Sequence, residues 1–114
     1  INWDGNDEEC LHVLARGKRG KVVATGRLAP DDKIGRLAVL RLHRGKGVGA
    51  RILRKLLEAA RVRGLSQVYL HAQAQAVGFY EQEGFQLCGA PFSEGGITHR
   101  HMVLAFQDDG GETG

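Results

Sequence analysis

No apolar run in this 114-residue chain approaches the roughly 20 residues that a spanning helix needs. A membrane partner is therefore not expected. Cysteine is scarce: Cys10 and Cys88 are the only two. They lack the close spacing of a metal site, and no secretory context favours pairing them. They read as free thiols of a reducing compartment. The first ten residues are polar and acidic, unlike a secretory leader, so a cytoplasmic location is expected. Two prolines are too few for a Pro-rich linker. The 17 glycines fall at element boundaries, which excludes a low-complexity tract. What is present is ordinary for one globular domain with a real core: 42% apolar and 25% charged residues. The expected domain is 1–106, with a flexible tail at 107–114.

The formal net charge of +3 is concentrated in the middle of the chain. Arg41, Arg44, Lys46, Arg51, Arg54, Lys55, Arg61 and Arg63 lie close together. No aromatic residues interleave with them, and no nucleic-acid motif matches. The cluster is read as a solvated helix face plus a few cations available to phosphates, and no nucleic-acid partner is expected.

Apolar periodicity and turn chemistry give the following elements. Strands are expected at 10–15 and 21–28, joined by the hairpin loop Gly17-Lys18-Arg19-Gly20. After the turn Ala29-Pro30-Asp31-Asp32, residues 34–42 form a third strand, apolar on both faces and hence central. These three make an antiparallel meander. Residues 50–63 form a helix that buries Ile52, Leu53, Leu56, Leu57 and Ala60 as one stripe, with Gly64 just past its end. A fourth strand at 67–72 lies parallel to the third by a right-handed crossover. A short helix at 74–82 is ended by Gly84. Two last strands at 85–89 and 101–106 are joined by a loop containing Pro91, Gly95 and Gly96.

The segment Arg44-Gly45-Lys46-Gly47-Val48-Gly49-Ala50 lies between the third strand and its helix. A glycine turn there aims unpaired backbone N–H groups and the helix dipole at one point, the physical basis of a pyrophosphate site. A P-loop is excluded because Gly47-Val48-Gly49-Ala50 lacks the Lys-Ser/Thr ending. A dinucleotide fingerprint is excluded because the third glycine comes one residue early, and no acid stands about 20 residues later. The pattern that fits is Arg/Gln-x-x-Gly-x-Gly/Ala, carried by Arg44, Gly47 and Gly49. A strand-to-helix turn without a ligand is the bland alternative.

A second motif follows the fourth strand: Gln73-Ala74-Gln75-Ala76-Val77-Gly78-Phe79-Tyr80-Glu81-Gln82-Glu83-Gly84-Phe85. Together the two segments resemble the GNAT superfamily of N-acetyltransferases. The first resembles its acetyl-CoA pyrophosphate loop. The second resembles its Asn-x-x-Ala-x-x-x-Tyr-x-x-x-Gly-Phe element at Ala76, Tyr80, Gly84 and Phe85, with Gln73 where Asn is usual. Gly35-Arg36, Ala72-Gln73, Phe79-Tyr80 and Phe92-x-Glu94-x-Gly96-Ile97-x-His99-x-x-Met102 look like the ElaA-like branch of that superfamily. The sequence reads as starting after the family's opening strand and helices. Apolar sheet surface would then be left for unseen residues or a second copy to cover, as in a homodimer.

The resemblance implies an α/β (α+β) fold: a mixed, mostly antiparallel twisted sheet whose central parallel pair splays to hold CoA, flanked by helices. It implies acetyl-CoA as co-substrate and a small-molecule or peptide amine as acceptor. The cofactor-binding residues it implies are Leu37, Ala38 and Val39, which would pair with pantetheine, then Arg44, Gly45, Lys46, Gly47, Val48, Gly49 and Ala50 at the phosphates, and Gln73. A free N–H near Val39 or Leu40 would polarise the thioester carbonyl. Tyr80 would protonate the departing thiolate. Glu94, His99 and His71 compete for the base that deprotonates the amine, with Glu94 and His99 favoured as acceptor-pocket residues. His71 is read as lying beneath the cofactor or within the sheet. His99 and His101 share a face if that segment is extended. A metal with His12 or Cys10 as third ligand is the weaker reading, and no metal is expected. A CoA-binding domain that is catalytically idle, or completed by a partner, is the alternative to an enzyme.

Overall fold

Along three of the strands buried side chains alternate with less buried ones and set which face each one presents. The computed structural model describes residues 11–106. The expectations for Cys10, for the start of the domain and for the 107–114 tail lie outside the described residues. In chain order the elements are β1 (Leu11–Arg16), β2 (Val22–Leu28), β3 (Ile34–Val39), α1 (Val48–Val62), β4 (Gln67–Gln73), α2 (Val77–Gln82), β5 (Gln86–Glu94) and β6 (Ile97–Ala105). Two antiparallel sheets result, in the orders β1-β2-β3 and β4-β6-β5.

The sheets meet along β3 and β4, which run parallel and touch by backbone only at their starts. Lys33 and Tyr69 form a single parallel bridge, and the Tyr69 N–H donates to the Asp32 carbonyl at 3.1 Å. Beyond that point no bridge joins the two strands among the described residues, so the expected splayed pair is present. On the first sheet Leu11, Val13 and Ala15 pair with Leu28, Gly26 and Ala24. On the second, Val68, Leu70 and Ala72 are buried, while Tyr69, His71 and Gln73 take the other face by the period of two.

Helix α1 lies over the first sheet and buries Ile52, Leu53, Leu56 and Ala60. Each of the three large side chains contributes about 1.5–3 kcal/mol of hydrophobic stabilisation when fully buried. Leu57 packs at the margin, partly buried. Gly26 makes the close approach possible. A methyl group there would fall 2.7 Å from Ile52 Cγ2 and 2.9 Å from Leu56 Cδ1. Both helices end in the same way. Gly64 has φ +84°, its N–H donates to the Arg61 carbonyl, and the Leu65 N–H donates to Ala60. Gly84 has φ +102°, with Gly84 donating to Glu81 and Phe85 to Tyr80. These paired bonds and the left-handed glycine define the Schellman cap.

Three boundaries differ from the sequence reading. β3 stops at Val39 rather than at residue 42: Arg41–His43 form a 3-10 turn, and Leu42 is 85% exposed. α1 starts at Val48, capped by Gly47 at φ +79°, two residues before the expected start. The largest correction is the expected loop at Pro91, Gly95 and Gly96. β5 instead runs through to Glu94, with a register irregularity between Cys88 and Phe92 that accommodates Pro91 without a ladder N–H. Gly95 and Gly96 take φ +60° and +78°, the left-handed pair a tight hairpin requires. Phe92, Glu94 and His99 are therefore strand residues with fixed faces.

Candidate active site

The splay of β3 from β4 opens two adjoining clefts. The larger, about 700 Å³, is lined by Leu37, Ala38 and Val39 of β3, by Arg44, Gly45, Gly47, Val48, Gly49 and Ala50 of the glycine turn, and by Phe79 and Tyr80 of α2. The smaller, about 310 Å³, lies between Ile34, Gly35 and Leu37 on one side and His71, Ala72, Gln73 and His99 on the other. Leu37, Ala76 and Tyr80 line both, so Tyr80 stands where the clefts join.

The glycine turn shapes one end of the large cleft. Gly45 and Gly47 both have positive φ, a conformation that glycine adopts without strain. Arg51 is the first residue of the helix whose N–H bonds back, to the Gly47 carbonyl at 3.1 Å. Among the described residues the N–H groups of 46–50 have no backbone acceptor outside the helix, and no side chain caps the start of α1. These unpaired donors at the positive end of the helix dipole suit an anionic group. A Cβ on Gly49 would lie 3.4 Å from Val39 and 3.7 Å from Phe79, so a larger side chain there would enter the cleft. Arg44 Nε donates to the Val39 carbonyl at 3.0 Å, which holds the guanidinium at the end of β3. Lys46 does not line the cleft. Gln73 lines the smaller cleft rather than the larger, and its Oε1 accepts from Gln75 Nε2 at 2.6 Å.

The expectation of a free N–H near Val39 or Leu40 narrows to one residue. The Leu40 N–H is bonded to the Val23 carbonyl at 2.8 Å. Val39 pairs with Ala24, and that bond makes the pair a non-hydrogen-bonded one in the antiparallel ladder. The N–H and C=O of Val39 therefore point away from β2, toward the gap.

Tyr80 is partly buried between Phe79 and Phe85, with ring centroids at 5.0 and 5.8 Å. Burial raises its phenol above the ordinary value of 10.0, so at neutral pH it holds its proton. Arg54 of α1 and Glu83 after α2 close the outer wall with contacts of 2.9 and 3.0 Å. Glu83 raises the Arg54 guanidinium above its usual range, first through the hydrogen bond and then through its charge. Nothing in the spacing of these two residues, 29 apart, had marked them as a pair.

The histidine-bearing strands contribute the rest. His71 Nδ1 lies 3.1 Å from Glu94 Oε1, and Glu94 Oε2 lies 4.0 Å from His99 Nε2. His99 is 8% exposed, and its Nδ1 donates to the Ile97 carbonyl at 2.8 Å. Glu94 lines neither cleft. It stands behind the two histidines that do. The same face carries Phe92, edge-on to His71 at 5.0 Å, and Tyr69 stacked on His101 at 5.3 Å. The Tyr69 hydroxyl donates to Asp31 Oδ2 at 3.3 Å, and its phenol is raised by burial and then by Asp31. His99 and His101 share a face as expected from their spacing. Among the described residues no three His, Cys, Asp or Glu side chains are grouped to hold a metal, and no helix is long and apolar enough to cross a membrane.

Comparison with known proteins gives this geometry a family. The profile described as "Acetyltransferase (GNAT) domain" matches residues 4–106. The uncharacterized N-acetyltransferase YjcF of Bacillus subtilis is 40% identical over 104 residues, spanning 88% of this chain and 74% of that protein. The crystal structure of Escherichia coli ElaA superposes with a TM-score of 0.75 at 31% identity, covering 83% of this chain and 67% of ElaA. A GNAT acetyltransferase of Elizabethkingia anophelis, solved with acetyl-CoA bound, shares the fold at a TM-score of 0.70 and 17% identity, over 86% of this chain and 77% of its own. The chain belongs to the GNAT family of acetyltransferases.

Proposed function

We propose that this chain transfers an acetyl group from acetyl-CoA to a primary amine by direct attack, with Tyr80 as general acid. The observation that carries the reading is the position of Tyr80, shared by a large cleft that ends at unpaired helix N–H groups and a smaller cleft walled by histidines. The pyrophosphate fits the donors of 46–50, with Arg44 beside them. The pantetheine arm fits the edge of β3 that turns away from β2, where Leu37, Ala38 and Val39 line the wall. The Val39 N–H is placed to polarise the thioester carbonyl. The amine fits the smaller cleft, beside His99, with Glu94 behind the cleft wall.

In this reading the amine nitrogen attacks the acetyl carbon, the C–S bond breaks, and the CoA sulfur takes the Tyr80 proton. Burial keeps the phenol neutral, the form that can donate. Tyr80→Phe tests it. The ring packing on Phe79 and Phe85 is kept, so stability and acetyl-CoA affinity should change little. Turnover with a good amine from a primary-amine panel should fall by about 10²–10⁴-fold. Full turnover in the variant would assign the proton to water or another side chain. Lost cofactor affinity in place of turnover would give Tyr80 a binding role. A wild-type chain that binds acetyl-CoA and acetylates no amine would leave an idle or partner-completed domain.

A further inference from the structure

The proton that leaves the amine needs an acceptor, and the second sheet contains a built one. An ionised carboxylate only accepts hydrogen bonds. The 3.1 Å contact between His71 Nδ1 and Glu94 Oε1 therefore places the proton of neutral His71 on Nδ1. Its Nε2 is left as a bare lone pair, with no hydrogen-bond partner among the described residues. His71 lines the smaller cleft together with Tyr80, and Glu94 does not. A carboxylate that fixes an imidazole's tautomer and stabilises the imidazolium once formed is the orienting half of a catalytic dyad.

We propose, resting on the acetyl-transfer reading above, that His71 is the general base for the acceptor amine and that Glu94 orients it without itself taking the proton. The other candidates are less well placed. The near oxygen of Glu94 already accepts from His71. His99 also lines the cleft, but its Nδ1 is tied to Ile97 and its Nε2 faces Glu94 Oε2. His101 is stacked on Tyr69 and lines neither cleft.

The step balances. His71 Nε2 takes one N–H proton from the amine as the C–N bond forms. The C–S bond breaks, and the sulfur takes the proton of Tyr80. The proton on His71 then returns to the Tyr80 phenolate through water, restoring both groups. An acceptor that arrives as an ammonium ion first releases one further proton to solvent.

The groups that face His71 are Glu94 on β5, His101 on β6 and Tyr69 on its own strand, with His99 on the far oxygen of Glu94 and Asp31 behind Tyr69. The decisive variant is His71→Asn. Its side-chain N–H₂ takes the place of Nδ1–H and keeps the bond to Glu94, but it has no base. With the primary amine that the wild type turns over fastest, kcat/KM for the amine should fall by about 10²–10⁴-fold, KM for acetyl-CoA should stay within about twofold, and the acid limb of the pH profile should disappear. Added imidazole should restore turnover to His71→Gly. Glu94→Gln, which can still accept from His71, should fall by less.

Nitrogen NMR of the free protein supplies a readout that needs no activity: His71 should carry its proton on Nδ1, and Glu94→Ala should release that preference. An Nε2–H tautomer in wild type, or a His71→Asn variant with full turnover and an unchanged pH profile, overturns the proposal. The expected tautomer in a wild-type protein that acetylates no amine overturns the acetyl-transfer reading instead.

Discussion

At the scale of single residues, the least conspicuous position is among the most constrained. Gly26 sits in a Val- and Thr-rich strand where the sequence gives no reason to expect a glycine. The structure gives one: α1 rests directly on the backbone there, with Ile52 and Leu56 where a Cβ would go. Gly26→Ala should overpack this contact and cost about 1–3 kcal/mol, read as a lower denaturation midpoint with an unchanged slope. Gly20→Ala is the comparison, because no atom lies within 4 Å of the position where a Cβ would stand there, although its φ of +73° adds some strain of its own. Tyr80 gives a second expectation at this scale. Its folded pKa is raised, so the folded chain holds this proton more tightly than the unfolded chain does. The stability linked to it is complete below the unfolded value, near pH 10, and is lost as pH rises through the higher folded value. Tyr80→Phe should therefore flatten the alkaline fall in melting temperature. An equally steep fall in the variant would place the alkaline sensitivity elsewhere.

Among the elements, what the sequence made legible is what local chemistry dictates. The stripe of α1, the glycine at each helix end and the three-strand meander all depend on neighbours a few residues apart, and all are present. The β5–β6 hairpin was misread because Pro91, Gly95 and Gly96 signal a loop by composition. A register irregularity and a left-handed turn let a strand keep all three. The contacts that assemble the candidate site are long in sequence. His71 and Glu94 are 23 residues apart, and Arg54 and Glu83 are 29 apart. Their pairing follows from strand order and register, which no local pattern encodes, and so Glu94 and His71 could each be singled out but not joined. The Arg54–Glu83 clasp ties α1 to the end of α2 across the mouth of the larger cleft. Its guanidinium is exposed while Glu83 is 12% exposed, so solvent screens the pair from one side. Unfolding of Arg54→Gln, Glu83→Gln and the double variant should reveal a favourable coupling at low salt. That coupling should shrink toward zero in 1 M salt, where the screening length is about 3 Å. A salt-independent coupling would mean that packing, not charge, joins the helices.

For the molecule as a whole, the arrangement is two small sheets that share one core but are joined through the backbone only at one end, by the Lys33–Tyr69 bridge, with an open edge between them and a helix start at its rim. A ligand that pairs with β3 and reaches the N–H groups of 46–50 would splint this opening. If acetyl-CoA is that ligand, it binds the folded chain and not the unfolded one, and linkage then fixes the size of the effect. At 100 times its dissociation constant it should add about 2.7 kcal/mol of stability, a rise in melting temperature on the order of 10 °C for a chain of this size. Hydrogen exchange should locate the gain, with protection of the free Val39 N–H and of 46–50, and little change along β5, which touches neither cleft wall at the turn. Gly47→Val combined with Gly49→Val should remove both effects. The first substitution forces a β-branched residue into φ +79°, and the second drives a side chain between Val39 and Phe79. Affinity should fall by well over tenfold, about 1.4 kcal/mol or more. A folded double variant that still gains full stability from acetyl-CoA would place the phosphates elsewhere than on the glycine turn.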